Sequence, residues 1–177
     1  DFSKKLGELG DVYINDAFSC SHRKQASVHS ITKFVKKSYA GPLLKKEITA
    51  INLVVKNKKK PVTCIIGGSK ISTKIEILNN LIKKIQNIVI VGAMANNFIK
   101  YQGHNIGKSM FEKNQENLLK DIIKKCEANN CKLIIPEDVI VAKSYSSQGK
   151  LKSLNKIENT DIILDIGENT IKKIYKI

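Results

Sequence analysis

The sequence predicts an α/β fold in which a parallel sheet is flanked by helices, in a Rossmann-like three-layer arrangement. Beyond Pro61, short runs rich in β-branched residues alternate with stretches whose apolar residues recur at helical spacing, and such alternation is typical of parallel sheets. The first run, Val62–Ile66, has the composition of a strand that is buried on both faces. A charged segment, Lys56–Pro61, precedes this pattern and indicates the edge of a new folding unit.

Two elements are predicted before the charged segment. Residues Gly10–Phe18 alternate like a short strand and include the polar pair Asn15–Asp16, after which a loop follows. From Gly41 to Lys56 the apolar residues recur with helical spacing, while lysine and glutamate supply a solvated face. This stretch is therefore predicted to form one amphipathic helix.

Beyond Pro61 the same criteria predict a longer series of elements. The polar stretch Ser144–Lys150 is expected to be a loop or the tip of a hairpin. The predicted strands are Val62–Ile66, Ile88–Val91, Leu133–Ile135, Val139–Val141 and Ile162–Ile166, and the predicted helices are Ser72–Lys84, Met94–Tyr101 and Asn114–Asn129.

Composition excludes several classes of protein. Of the 177 residues, 42% are hydrophobic and 27% are charged, so the chain can bury a sizeable core and is not expected to be disordered. No apolar run approaches the roughly 18 to 20 residues that span a bilayer. The opening residues Asp1–Lys5 show neither an initiator Met nor a signal-peptide pattern. We therefore expect a cytoplasmic protein without a membrane partner, and a first residue that marks a cut.

The formal net charge of +15 comes almost entirely from lysine, because Arg23 is the only arginine. Lysine, isoleucine and asparagine all have A/T-rich codons, so their abundance indicates drift in base composition. Nucleic-acid recognition normally uses arginine for bidentate contacts, and aromatic residues, which would stack on bases, make up only 6% of the chain. The charge therefore favours a lysine-rich surface over a nucleic-acid partner.

The four cysteines predict no metal site. Cys126 and Cys131 are close in sequence, but no histidine or second cysteine pair completes a zinc pattern. Cys20 and Cys64 stand alone. Reduced structural thiols are the expected state of all four.

The strongest local motif is the strand-to-helix turn that contains Gly67, Gly68 and Ser69. Glycines let backbone N–H groups approach an anion, and a helix N-terminus favours phosphate. Lys70 and Lys74 follow, four residues apart and therefore predicted to lie on one helix face. The pattern is neither a Walker A loop nor a dinucleotide fingerprint. It predicts a phosphate cradle, although a tight turn with two surface lysines explains these residues equally well.

Two further glycine turns follow predicted strands. Gly92 and Ala93 come directly after the second strand, and Gly167 ends the run Leu164–Gly167. Ligands of open parallel sheets bind beyond the carboxyl ends of strands, so three such turns on one sheet edge favour a nucleotide site over close helix packing alone. Arg23 beside His22 is a further candidate, because a fixed guanidinium fork suits carboxylate or phosphate; a surface or salt-bridged arginine is the alternative.

Taken in order, these motifs resemble phosphoglycerate kinase. They occur in the family's order and cover essentially the whole chain, so the resemblance is specific. The matching segments are Asp11–Phe18, Ser21–Arg23, Ala26–Ser27, Ala40–Glu47, Gly67–Lys70 with Lys74, Gly92–Ala95, Gly103 with Ile106–Ser109, Leu133–Asp138 and Leu164–Gly167.

The resemblance implies a bilobal glycolytic kinase that transfers a phosphoryl group between 1,3-bisphosphoglycerate with ADP and 3-phosphoglycerate with ATP. Residues 1–39 would form the end of the N-terminal substrate lobe, residues 40–57 the interdomain helix, and residues 58–177 the first part of the C-terminal nucleotide lobe. Mg²⁺ would be held mainly by ATP or ADP, and the full-length enzyme would be a monomer.

The resemblance also implies roles for individual residues. Arg23 would bind the substrate, and Lys74 would contact the nucleotide phosphates and steady the transferring group, with Lys70 beside it as a second catalytic lysine. The implied nucleotide-binding residues are Gly67, Gly68, Ser69, Lys70, Lys74, Gly92, Ala93 and Gly167.

The chain departs from the family's pattern at several positions. Thr73 stands where some members carry Asp, and Ala93 replaces the last glycine of a Gly-Gly-Gly run. In addition, the family's Arg-Val-Asp-Phe-Asn, His-Leu-Gly-Arg-Pro, Trp-Asn-Gly-Pro and Gly-Gly-Gly-Asp segments do not occur in it. We therefore expect the central part of the enzyme, inactive alone. A nucleotide-binding domain without kinase activity and a basic nucleic-acid-binding protein are the alternatives.

Overall fold

The computed structural model describes residues 2–56 and 60–177. It divides the chain into two compact units, Asp1–Lys58 and Lys59–Ile177. The boundary falls within the charged segment Lys56–Pro61. Residues 57–59 of that segment lie outside the described residues. They include the last residue of the expected interdomain helix and the first residues of the expected nucleotide lobe. In the described parts of the chain, no helix has both the length and the hydropathy to cross a membrane.

The first unit contains a two-stranded parallel sheet and a long helix. Its elements are α1 (Phe2–Gly7), β1 (Val12–Asn15), β2 (Lys37–Ala40) and α2 (Pro42–Lys56), and β1 pairs with β2. The predicted strand and amphipathic helix are confirmed. The sequence analysis missed β2, because its residues Lys-Ser-Tyr-Ala show no run of β-branched side chains.

A carboxylate at the end of β1 fixes the beginning of α2. Asp16 Oδ1 accepts the Leu44 backbone N–H at 2.9 Å, which satisfies one of the amides that a helix N-terminus leaves unpaired. Glycine at position 41 permits this contact, since a Cβ there would lie 2.3 Å from the Asp16 Cγ atom.

The second unit begins with strands and helices that alternate, as predicted, and then has four successive strands before its last helix. Its strands are β3 (Thr63–Ile66), β4 (Asn87–Ile90), β5 (Lys132–Ile134), β6 (Asp138–Ala142), β7 (Lys150–Ser153) and β8 (Ile162–Ile166), and its helices are α3 (Ile75–Ile82), α4 (Ala93–Tyr101), α5 (Glu116–Ala128) and α6 (Glu168–Tyr175).

The parallel sheet of this unit has the strand order β3-β4-β5. Its central strand is buried throughout: Ile88, Val89 and Ile90 have no exposed surface. Met94 and Phe98 of α4 are equally buried and belong to one core with Ile88 and Ile90. Burial of each such side chain contributes about 1.5–3 kcal/mol, so this core holds the carboxyl ends of β3 and β4 in place. The α/β fold class with a helix-flanked parallel sheet is confirmed.

The last three strands form a separate antiparallel sheet, of order β7-β6-β8. The prediction that Val139–Val141 and Ile162–Ile166 extend the parallel sheet is therefore wrong. The reason is the connection from β5 to β6, which is only Ile135–Glu137, whereas a parallel crossover needs roughly a dozen or more residues. The hairpin tip predicted at Ser144–Lys150 is confirmed, because it joins β6 to its antiparallel partner β7.

A buried carboxylate joins this second sheet to α6. Asp138 is 3% exposed; its Oδ2 accepts the Asn169 N–H at 2.9 Å, and its Oδ1 accepts the Thr170 N–H at 2.8 Å and the Thr170 hydroxyl at 2.7 Å. Burial alone would raise the pKa of Asp138, but these hydrogen bonds outweigh it and hold the pKa below its ordinary value. Asp138 therefore caps α6 in the ionised form.

Candidate nucleotide site

The structure brings the first two glycine turns together at the carboxyl ends of β3 and β4. The Val91 N–H donates to the Ile66 carbonyl, and the Met94 N–H donates to the Gly68 carbonyl, each at 2.9 Å. A Cβ built on Gly92 would lie 3.4 Å from the Gly68 nitrogen. The turns are thus packed against each other, as the parallel arrangement of β3 and β4 predicts.

Two of these glycines have backbone conformations that other residues rarely adopt. Gly68 has a φ of 149° and Gly92 a φ of 65°, values at which a side chain would be strained. Within the described residues, the N–H groups of Gly68, Ser69 and Lys70 donate to no protein acceptor. The first turn therefore presents successive amides without a Cβ at Gly68 to obstruct them, which is a suitable geometry for an anion.

The two lysines take different positions around the first turn. The Lys74 Cε atom lies 3.9 Å from where a Gly68 Cβ would be, so its side chain extends over the turn. Lys70 precedes the 3-10 turn Ser72–Lys74 and accepts the Thr73 hydroxyl on its carbonyl at 2.9 Å. The prediction that both lysines share one helix face is wrong, because α3 begins only at Ile75. Ile71, which follows Lys70, is completely buried, and Lys74 itself has a non-helical φ of −110° and ψ of 0°.

The third glycine turn does not lie on the parallel-sheet edge, contrary to prediction, because β8 belongs to the antiparallel sheet. β8 nevertheless forms one wall of a cavity of about 190 Å³ whose other wall includes Gly92 and Ala93. Gly167 is not part of the cavity lining. Its N–H donates to the Asp138 carbonyl at 2.8 Å, and a Cβ on it would lie 2.3 Å from the Asp138 Cγ atom, so this glycine makes room for the cap of α6.

The cavity contains one polar group that the sequence analysis missed. Asn96 is 2% exposed and donates its side-chain amide to the Met110 carbonyl at 2.9 Å. Its Oδ1 is buried and has no hydrogen-bond partner in the described part of the chain. The other lining is largely apolar and includes Ile99, Ile163, Leu164 and Ile166, with Asp165 as its one carboxylate among the described residues. A flat, mostly apolar group with a hydrogen-bond donor suits such a cavity.

Glu112 is a second residue near the site that the sequence did not predict. It lies 40 residues from Ser72, yet its carboxylate accepts both the hydroxyl and the backbone N–H of Ser72. No sequence motif indicates a pairing at this separation. Glu112 thereby contacts the turn that carries both predicted lysines.

Arg23 lies in the first unit, in an exposed loop. Its backbone N–H donates to the Cys20 carbonyl at 3.0 Å. Asn15 at the end of β1 supports the loop: its amide donates to the Ser21 hydroxyl at 3.0 Å, and Ser21 in turn donates to the Ala17 carbonyl at 2.7 Å. The loop is therefore built from the polar strand end that the sequence predicted, and it presents the guanidinium to solvent.

The cysteines are free thiols. Burial raises the pKa of the Cys126 thiol to about 12, and the adjacent Cys131 thiol adds to that effect, so neither is poised as a nucleophile. Among residues 2–56 and 60–177, no group of three or more His, Cys, Asp and Glu side chains is placed to hold a metal ion.

Comparisons with known proteins identify the family. The family model for phosphoglycerate kinase matches residues 1–177. The phosphoglycerate kinase of Wolbachia pipientis from Culex pipiens is 47% identical over 175 residues, which cover 98% of this chain and 44% of that protein. The Bartonella bacilliformis enzyme is 43% identical with the same coverage.

A solved structure agrees with these relatives. The phosphoglycerate kinase structure from Coxiella burnetii superposes with a TM-score of 0.84 at 36% identity, covering 98% of this chain and 45% of that one. The chain thus spans less than half the length of the relatives that it matches. The 177-residue chain belongs to the phosphoglycerate kinase family.

Proposed function

We propose that the chain forms part of a phosphoglycerate kinase, a phosphotransferase whose acceptor is a carboxyl group. Its reaction is the reversible glycolytic transfer between 1,3-bisphosphoglycerate with ADP and 3-phosphoglycerate with ATP. The observation that carries the proposal is the position of Lys74 over the first of two glycine turns, which contact each other at the carboxyl ends of β3 and β4. Family membership supports it over the full length of the chain.

The first turn would bind the nucleotide phosphates. The N–H groups of Gly68, Ser69 and Lys70 supply donors, and Gly67 connects them to β3. Lys70 and Lys74 supply positive charge, and Lys74 is the one whose side chain extends over the turn. Phosphoryl transfer depends mainly on positioning and on neutralising charge as it spreads over the transferring group. Lys74 would therefore act on the transferring phosphoryl group, with Lys70 assisting.

The cavity between the second turn and β8 would hold the base. Gly92 and Ala93 allow close approach of a flat ring on one side, and Ile163 and Leu164 cover the other. The unpaired Asn96 oxygen supplies an acceptor. Gly167 contributes indirectly, since its contact with Asp138 fixes the end of β8.

The first unit would supply the acceptor side of the reaction. Arg23 would bind a carboxylate or phosphate oxygen of 3-phosphoglycerate through its guanidinium. In this proposal residues 1–39 belong to the substrate lobe, residues 40–57 to the interdomain helix and residues 58–177 to the nucleotide lobe. Mg²⁺ enters as part of the nucleotide substrate. The cytoplasmic location and the monomeric full-length enzyme stay predictions from the sequence.

Hydrogen exchange in an active-length protein tests the proposed nucleotide site. We define the chimaera as the Wolbachia pipientis enzyme in which residues 1–177 of this chain replace the matching segment. Addition of MgADP is expected to slow amide exchange at residues 67–74 and 92–96, because bound phosphates and base protect those amides. The first unit, residues 2–56, is the internal control. Protection confined to lysine-rich surface outside both turns would contradict the proposal and favour a nonspecific polyanion site.

A further inference from the structure

The segment between α4 and α5 is fastened to the first glycine turn by one side chain. Glu112 Oε1 accepts the Ser72 hydroxyl at 2.5 Å, and Glu112 Oε2 accepts the Ser72 backbone N–H at 3.1 Å. Hydrogen bonds to a charged acceptor are about twice as strong as neutral ones. The pair therefore holds Ser72, which lies between Lys70 and Lys74, at two points.

The backbone of Glu112 is in turn held by α4. The Asn97 side chain, 4% exposed, donates its amide to the Glu112 carbonyl at 2.6 Å and accepts the Glu112 N–H on Oδ1 at 3.1 Å. α4 begins at Ala93, directly after the second glycine turn. A continuous set of hydrogen bonds therefore runs from α4 through Asn97 and Glu112 to the turn that carries the lysines.

The charge of Glu112 fits this arrangement. The hydrogen bonds from Ser72 lower the pKa of Glu112, and the positive charge of Lys70 adds to the effect. The side chain is accordingly ionised at neutral pH, where it can accept both Ser72 bonds without a proton of its own.

We propose that Glu112 is a positioning residue for phosphoryl transfer: it holds Ser72, and through Ser72 it keeps Lys70 and Lys74 in register with the second glycine turn. This inference rests on the proposed kinase function. Long lysine side chains are flexible, and a misplacement of about 1 Å at a reacting group can cost about 10²-fold in rate. A rigid link between the two turns is what such a site requires, and Glu112 with Asn97 supplies it.

The test compares three variants in the chimaera by steady-state kinetics. Glu112→Ala is expected to lower kcat by about 10- to 100-fold, while the KM for 3-phosphoglycerate changes by less than about twofold, because that substrate is assigned to the other unit. Glu112→Gln is expected to restore most of kcat, since its amide oxygen can accept the Ser72 N–H and its amide nitrogen can donate to the Ser72 hydroxyl. Glu116→Gln, at an exposed position in the first turn of α5, is the matched control and should match the parent.

A double-variant cycle with Ser72→Ala separates positioning from general destabilisation. If Glu112 acts through Ser72, the double variant is no slower than Glu112→Ala alone. The second expected result is faster hydrogen exchange at residues 69–74 in Glu112→Ala. This measurement does not depend on turnover. Unchanged exchange there together with unchanged kcat, or strictly additive losses, would overturn the positioning role. A different outcome would count against the kinase function alone. In that case the chimaera is inactive with Glu112 intact, but the Glu112→Ala change still speeds hydrogen exchange at residues 69–74.

Discussion

Replacement of Lys74 by alanine in the chimaera is expected to lower kcat by about 10²–10³-fold, the cost of removing one preorganised electrostatic group. The Lys74 side chain extends over Gly68, whose turn carries the amides that we propose bind the nucleotide phosphates. Its charge is most useful when negative charge redistributes during transfer, so the loss appears in kcat more than in ground-state binding. Steady-state kinetics with MgATP and 3-phosphoglycerate varied separately measures both parameters.

Two other variants serve as comparisons for Lys74→Ala. Arg23→Ala, in the first unit, is expected to raise the KM for 3-phosphoglycerate by about tenfold, the loss of roughly one charge-assisted hydrogen bond, with a smaller change in kcat. Lys83→Ala removes the same charge as Lys74→Ala from an exposed position just after α3 and should leave both parameters unchanged. Equal effects of the Lys74 and Arg23 variants on both parameters would contradict the assigned roles.

Replacement of Asp138 by alanine is expected to lower the free energy of unfolding by about 3 kcal/mol. The change removes the cap of α6, which typically costs about 1 kcal/mol, and leaves the buried Thr170 N–H and hydroxyl without their charged acceptor, which costs about 1–3 kcal/mol. Thr170 has no exposed surface, so its N–H and hydroxyl lose this acceptor in the protein interior. Denaturant unfolding of the chimaera, followed by circular dichroism, measures the change.

The same carboxylate gives stability a defined pH dependence. Its folded pKa lies below its unfolded value, so its contribution is complete above about pH 4, the unfolded pKa of Asp, and is lost as the pH falls through the lower folded pKa. Asp138→Asn keeps the shape of the side chain but not its charge, and is expected to reduce this acid sensitivity. An Asn variant that unfolds in acid with the parent's pH dependence would assign that dependence to other carboxylates.

Much of the fold follows from local sequence patterns. The strands β3 and β4 and the helices α4 and α5 were predicted because burial imposes β-branched or helical periodicity on them. The strand β7 and the helix α6 were missed, since the Lys150–Ser153 sequence is polar and the end of β8 was interpreted only as a glycine turn. The prediction that β6 extends the parallel sheet was wrong because the β5–β6 connection is too short for a parallel crossover. Hydrophobic periodicity does not show the length of that connection.

The candidate site likewise has features that the sequence predicts and features that it does not. The two glycine turns were predicted to be neighbours because parallel strands bring their carboxyl ends to one edge. The contact of Glu112 with Ser72 and the unpaired oxygen of Asn96 depend on tertiary packing between distant segments. The different positions of Lys70 and Lys74 follow from the 3-10 turn Ser72–Lys74 that precedes α3, which a spacing of four residues does not reveal.

Turnover by the chimaera is the most direct test of the proposal that this chain forms part of a phosphoglycerate kinase. In the chimaera, residues 1–177 supply Lys74, both glycine turns and Arg23 to an otherwise complete enzyme. We expect a kcat for ATP formation from 1,3-bisphosphoglycerate and MgADP within about tenfold of that of the Wolbachia parent, a difference of about 1.4 kcal/mol in activation free energy. A chimaera that folds and binds MgADP but turns over no faster than background would contradict it, and would indicate a nucleotide-binding domain without kinase activity.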